Sequence, residues 1–148
     1  RNFLQCSNPP EKMIMMLQKE VADQMQAEPG KMTILSITTQ TYAKVETLFN
    51  VGPKAFSPRP KVNSSVVQIT PLEKPAVTVD SISYFFGFVK LAFKSPRKQL
   101  HNSLSNGLNI ETEIAKSIAE RARICSTRRP GTLSLFEWQH LYESWILS

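Results

Sequence analysis

Phe56-Ser57-Pro58-Arg59-Pro60-Lys61-Val62-Asn63-Ser64-Ser65 carries two prolines at alternate positions, with cations after each. Each proline ring fixes its own φ and biases the preceding residue toward extended backbone, so the segment runs extended and excludes a helix. Ser65-Val66-Val67-Gln68-Ile69 follows, and its branched apolar residues read as a buried strand. A stiff aromatic–proline loop feeding a core strand is suited to holding a ring at the edge of a site. It also suits a surface connection in which Phe56 plugs the core.

Working back from that loop, Gly52-Pro53 is a turn and Lys44 to Val51 alternates as a strand. Before it, Ile34 to Tyr42 reads as a helix that Thr33 can cap, and Lys19 to Ala27 as another, ended by Glu28-Pro29-Gly30-Lys31. Glu20 and Asp23 lie near the start of that earlier helix, where acids favour its dipole. Lys12-Met13-Ile14-Met15-Met16-Leu17-Gln18 is a short apolar run without alternation, expected as the buried strand of a parallel sheet, with a methionine-rich cofactor or peptide surface as the alternative. Asn2-Phe3-Leu4-Gln5 reads as the tail of a helix stopped by Pro9-Pro10. The order strand, helix, helix, strand, strand suits the carboxyl end of an open α/β sheet closed by an antiparallel hairpin.

Past the loop, Pro71 to Thr78 is a proline-bearing linker, after which the composition changes. Ser81 or Asp80 can cap a helix running to Phe93, whose aromatic stripe (Tyr84, Phe85, Phe86, Phe88) reads as core. Ser95-Pro96 is expected to start a second helix, closed by Ser105-Asn106-Gly107. Glu111 to Arg121 is a third, with Ile114 and Ile118 facing inward. Ser134 with Glu137 forms a capping box opening a last helix, in which Leu135, Trp138, Leu141, Tyr142 and Trp145 pack inward. The expected organisation is an α/β part over 1–74 and a helical part over 78–148.

The chain has 148 residues, 41% hydrophobic, with formal net charge +6. Between Lys90 and Arg129 stand nine Lys or Arg against three Glu, so this segment accounts for the whole excess. The cations form two knots: Lys94, Arg97 and Lys98, then Arg121, Arg123, Arg128 and Arg129. Such knots fit phosphate contacts that position a nucleic acid without reading its bases, or an ordinary solvated face. Cys6 and Cys125 are far apart and suggest inert thiols in a reducing, cytoplasmic compartment. No apolar run approaches the roughly 18 residues of a membrane span, and no signal peptide is visible. His101 and His140 have no metal-ligand company. No nucleophile–base pair and no glycine-rich phosphate loop is signposted.

The strings that carry most information resemble the ribosomal RNA adenine dimethyltransferases, in particular the A-type members of the small-subunit class. Phe56 through Val67 is similar to that family's Phe-x-Pro-x-Pro-Lys-Val-Asp-Ser-x-Val-Val signature, with Asn63 in place of Asp. Met16-Leu17-Gln18-Lys19-Glu20-Val21-Ala22 resembles its fifth-strand region. Phe93-Lys94 and Arg97-Lys98-Gln99-Leu100-His101-Asn102-Ser103-Leu104 resemble its Phe-x-x-Arg-Arg-Lys-Thr-Leu-Arg-Asn-Ser-Leu stretch, with His101 where Arg is common. Arg121-Ala122 with Leu133 through Trp138 resembles its closing region.

The resemblance implies the carboxyl part of a Rossmann-like, S-adenosylmethionine-dependent methyltransferase sheet followed by a small helical RNA-binding domain. It implies dimethylation of N6 on two adjacent adenosines in the 3′-terminal hairpin loop of small-subunit rRNA. The implied partner is that rRNA or the pre-30S particle, with a monomeric, cytoplasmic protein and no membrane. The family's cofactor loop and Asn-Leu-Pro-Tyr motif are not in this sequence and are expected upstream of Arg1, so this chain alone is expected to be inactive. By resemblance, Phe56 is carried over to the catalytic site as one wall of the pocket for the extruded base. Lys61, Lys94, Arg97, Lys98, Arg128 and Arg129 are the expected RNA-backbone contacts. Two other readings stand beside this one: a mitochondrial-type transcription or ribosome-assembly factor with weak or no transferase activity, and an isolated RNA-binding fragment.

Overall fold

A computed structural model describes residues 10–148. The helix tail expected at Asn2 to Gln5, and Cys6, lie outside the described residues. The described residues divide into two compact units, one of residues 10–27 and 35–76, the other of residues 28–34 and 77–148.

The first unit is a three-stranded antiparallel sheet carrying two helices. Its elements are β1 (Met13–Gln18), α1 (Lys19–Met25), α2 (Ile34–Tyr42), β2 (Ala43–Val51) and β3 (Ser64–Pro71). The strand order is β1-β3-β2. Along β3, Ser65, Val67 and Ile69 are buried and their neighbours are half-buried, the period-two pattern of a strand with two unlike faces. On the buried face Ala22 of α1 packs against Ala43, Val67 and Ile69, flanked by Met13, Leu17, Met25 and Val45. Ala22 is fully buried, and its small side chain brings α1 close to the sheet.

Two features of this sheet depart from the expectation. Met13 to Gln18 forms a strand, but it pairs antiparallel with β3, from Met13 opposite Ile69 to Gln18 opposite Ser64. Ile14, Met15 and Met16 are exposed rather than buried. The reason is local: Ile14 and Met16 lie on the sheet face away from α1, and β1 is an edge strand among the described residues. β2 also carries a bulge. Thr47 lies opposite Val67 and Phe49 opposite Val66, which leaves Leu48 as an extra residue. A bulge reverses the alternation beyond it. Phe49 therefore shares the outer face with Val66 and Met16, away from α1, and is 57% exposed. Gln26 covers the β2 edge at this point: its amide donates to Thr47 Oγ1 at 2.8 Å and accepts from Thr47 N at 3.0 Å.

The second unit contains α3 (Ile82–Ala92), α4 (Leu100–Leu108), α5 (Thr112–Arg121) and α6 (Leu135–Ile146). Its core is aromatic. Phe93 stacks on Trp138 at 5.0 Å and Phe88 on Trp145 at 5.1 Å, while Phe85 meets Tyr142 edge-on at 5.6 Å. Ser81 caps α3, accepting from Tyr84 N. Ser134 and Glu137 form the expected capping box of α6. Burial pushes the Tyr142 hydroxyl above its ordinary pKa.

Three expectations fail in this unit. Ser95-Pro96 does not open a helix: residues 95–98 form a turn closed by Lys98 N to Ser95 O at 3.0 Å, and α4 begins at Leu100. Gly107 lies inside α4 rather than ending it. Asn109 ends the helix in the left-handed region, with φ 56°. Ile114 is exposed, and Ala115, Ile118 and Ala119 make the inward face of α5. Residues 28–34 join this unit through Gly131, whose carbonyl accepts from Gly30 N and Met32 N, both at 2.9 Å. Met32 is buried beside them.

Candidate nucleic-acid interface

In the first unit, the single-turn helix Pro53–Ala55 ends at Phe56, whose backbone is extended (φ −121°, ψ 148°). Phe56 N donates to Pro53 O at 3.3 Å. The ring is half-buried, so it does not plug the core, and the neighbouring Ser57, Pro58 and Arg59 are exposed. The Ser57–Pro58 peptide is cis. Lys61 is exposed, and Asn63 O accepts from Lys19 N at 2.9 Å, tying the end of the loop to the start of α1. The paired prolines thus deliver an aromatic ring to a surface rim on backbone pinned at both ends.

Also in this unit, an apolar groove of about 290 Å³ lies between β1 and the two helices, lined by Met13, Met15, Leu17, Met25, Leu35 and Tyr42 among others. Its lining holds no acidic side chain. It therefore does not fit S-adenosylmethionine, whose ribose hydroxyls and ammonium need polar partners.

In the second unit, Lys94, Arg97 and Lys98 are exposed on the turn between α3 and α4. The segment from Cys125 to Pro130 is fastened to the start of α4. Leu100 N donates to Arg128 O at 2.6 Å and His101 N to Ser126 O at 3.1 Å. His101 Nδ1 lies 2.8 Å from the same Ser126 carbonyl, which can only accept, so Nδ1 carries the proton. His101 is buried, a packing residue rather than a ligand for phosphate.

The two neighbouring arginines differ. Arg128 forms a bidentate pair with Glu137 and donates to Thr132 O at 2.6 Å. Its guanidinium is thus committed within the unit, and that hydrogen bond holds the Glu137 carboxyl below its ordinary pKa. Arg128 is a brace rather than the free phosphate contact its sequence position suggests. Arg129 is exposed and has no ion pair among the described residues, while its carbonyl accepts from Thr132 N and Oγ1. Exposed Cys125 lies 3.1 Å from Thr127 Oγ1, and this hydrogen bond lowers the thiol pKa. Sequence reasoning missed the backbone bonds that join the two cationic segments. Nothing in side-chain identity announces them, although the buried histidine is their nearest sequence signal.

Among the described residues no group of His, Cys, Asp or Glu is placed to hold a metal ion, and no helix is long and apolar enough to cross a membrane.

The architecture, a mixed α/β unit with a small sheet plus a helical unit, is shared by solved structures. The chain superposes on a dimethyladenosine transferase from Plasmodium falciparum with TM-score 0.77 and 22% identity, over 99% of this chain and 62% of that one. It superposes on the 23S rRNA methyltransferase ErmE with TM-score 0.67 and 19% identity, over 95% of this chain and 57% of that one. Residues 2–140 match the family model described as ribosomal RNA adenine dimethylase, and the chain belongs to that family. Curated relatives named ribosomal RNA small subunit methyltransferase A are 40% identical over 139 residues in Alkaliphilus oremlandii and 41% identical over 145 in Desulfitobacterium hafniense. These alignments cover 92% and 97% of this chain but 48% and 52% of the relatives. The chain thus spans about half the length of the curated relatives it matches.

Proposed function

We propose that this chain is the carboxyl-terminal part of a small-subunit rRNA adenine N6-dimethyltransferase, acting on two adjacent adenosines of the 3′-terminal hairpin. The observation that carries the reading is the family match over residues 2–140, joined to about 40% identity with relatives of that name. S-adenosylmethionine would supply the methyl group, and its determinants belong to the part of the relatives that this chain does not span. No step through the cofactor is assigned to residues present here.

What this chain contributes is a wall and a platform. Phe56 serves as a stacking surface for an extruded adenine, a reading supported by its half-buried ring and anchored extended backbone. Aromatic stacking is sequence-tolerant and needs the ring fixed before the base arrives. Lys61, Lys94, Arg97, Lys98 and Arg129 contact RNA phosphates, while Arg128 holds the platform through Glu137. The open edge of β1 and the outer face that carries exposed Ile14, Met16 and Phe49 are where the remaining strands and helices of the enzyme pack. The working protein is a cytoplasmic monomer.

The test is methyl transfer from labelled S-adenosylmethionine into small-subunit rRNA by the protein from the complete reading frame. Label in N6,N6-dimethyladenosine of the 3′ hairpin is expected, and Phe56→Ala should lower kcat on the order of tenfold or more with little change in RNA affinity. Label absent, or confined to another RNA, would overturn the reading. A Phe56→Ala variant with wild-type turnover would remove Phe56 from the pocket.

A further inference from the structure

We propose that His101 is a positioning residue that latches the Cys125–Arg129 segment onto α4, so that Arg129 joins Lys94, Arg97 and Lys98 in one surface for a nucleic-acid sugar–phosphate backbone. This deepens the RNA-binding reading above and rests on it.

The geometry is built from the backbone. Leu100 N bonds Arg128 O at 2.6 Å, which makes these two residues neighbours across the contact. Lys98 lies two residues before one partner and Arg129 one residue after the other. With consecutive Cα atoms about 3.8 Å apart, the Cα atoms of Lys98 and Arg129 lie within about 18 Å of each other, a span their long side chains reach into from both ends. His101 doubles the fastening: its backbone N and its ring Nδ1 both donate to Ser126 O, at 3.1 and 2.8 Å. Behind the segment, Arg128 is locked to Glu137 and Thr132, and the Arg129 carbonyl is held by Thr132. Arg129 thus projects from backbone fixed on both sides.

The charge pattern selects the partner. Residues 94–110 and 121–136 contain no Asp or Glu. Glu137, which follows them, is spent on Arg128. Lys94, Arg97, Lys98 and Arg129 have no ion pair among the described residues. Four exposed cations without ion pairs among the described residues match a repeating phosphate chain, whose neutralisation releases counterions and makes affinity fall steeply with salt.

The experiment is fluorescence anisotropy of the chain with a labelled RNA stem-loop across a salt series. It compares wild type, Arg129→Ala, His101→Ala, His101→Asn, the His101→Ala/Arg129→Ala double variant and a Lys94→Ala/Arg97→Ala/Lys98→Ala triple variant. Each lost phosphate contact should flatten the slope of log K against log salt by about 0.7–0.9. Arg129→Ala and His101→Ala should each flatten it by about that amount, and the double variant by no more than either alone. His101→Asn, whose amide can still donate to Ser126 O, should restore the wild-type slope. Arg129→Ala at the wild-type slope, or additive effects in the double variant, would overturn the latch. So would His101→Ala lowering the melting temperature while leaving the slope unchanged. If the triple variant flattens the slope and Arg129→Ala does not, only the latch fails. If wild type shows no salt-dependent binding, or the triple variant keeps the full slope, the RNA-binding reading falls and the latch with it.

Discussion

A methyl group on Gly107 would sit 2.0 Å from the Leu91 carbonyl oxygen and 2.6 Å from its carbon, both backbone atoms that no rotamer change can move. The glycine is there because α3 and α4 cross at this point. Gly107→Ala should therefore destabilise the helical unit by about 3 kcal/mol, the range of core overpacking. That outweighs the gain of about 1 kcal/mol in helix propensity. Both tryptophans, Trp138 and Trp145, belong to this unit, so their fluorescence in a urea titration reports it directly. Glu137 provides a second handle. Its folded pKa is depressed by the Arg128 hydrogen bond. The stabilisation is thus present above the ordinary glutamate pKa and is lost as pH falls through the folded value. Stability of the helical unit should fall on acidification below about pH 4. Glu137→Gln should cost about 1–2 kcal/mol at neutral pH and flatten that acid limb. An acid limb unchanged by the substitution would assign it to other carboxylates.

Among the elements, β2 and β1 show what alternation alone conceals. Lys44 to Val51 reads as one regular strand, and a regular strand would put Phe49 on the same face as Val45 and Thr47. The extra Leu48 turns it to the opposite face, and no residue type marks the place, since Thr47-Leu48-Phe49 contains neither glycine nor proline. Deleting Leu48 should leave Thr47 and Phe49 consecutive opposite Val67 and Val66, so that pairing becomes regular, Phe49 stays on the outer face and the 2.7 Å Ser65–Asn50 bond is kept. Hydrogen exchange along β3 should show its protection retained, and a loss of protection would show that the bulge itself is needed for pairing. For β1, composition identified a strand, but burial depends on what lies beside it. Its free edge and exposed Ile14 and Met16 make the isolated chain prone to edge-to-edge association. Met16→Lys should increase the monomer fraction in sedimentation equilibrium, and an unchanged distribution would locate self-association elsewhere. The capping box and aromatic core were legible because their signals are local: Ser134 lies three residues before Glu137, and Phe85, Phe88, Trp138 and Tyr142 recur at helical spacing. The turn at residues 95–98 was not. Proline at a helical first turn and proline in a plain turn look alike until hydrogen bonds decide between them.

For the molecule as a whole, composition reads a linker over residues 71–78, the second unit resumes at Val77, and the charge excess beyond Lys90 lies in that unit. Phe56 was legible as a candidate for the site because proline imposes its geometry through the backbone, independent of partners. The convergence of Arg129 with Lys94–Lys98 was not, since it depends on main-chain donors common to every residue. Nor was the membership of residues 28–34, which sit in sequence between two helices of the sheet unit yet belong to the helical one. The chain consequently passes between the units three times, before Glu28, after Ile34 and after Ala76.

That threading has a consequence for fragment complementation. Cleavage after exposed Glu73 severs the linker, yet the amino-terminal piece still owns the strand of backbone that Gly131 grips through Gly30 and Met32. The nicked protein should elute from a sizing column as a single species, part only in denaturant, and reassemble when the two peptides are mixed again.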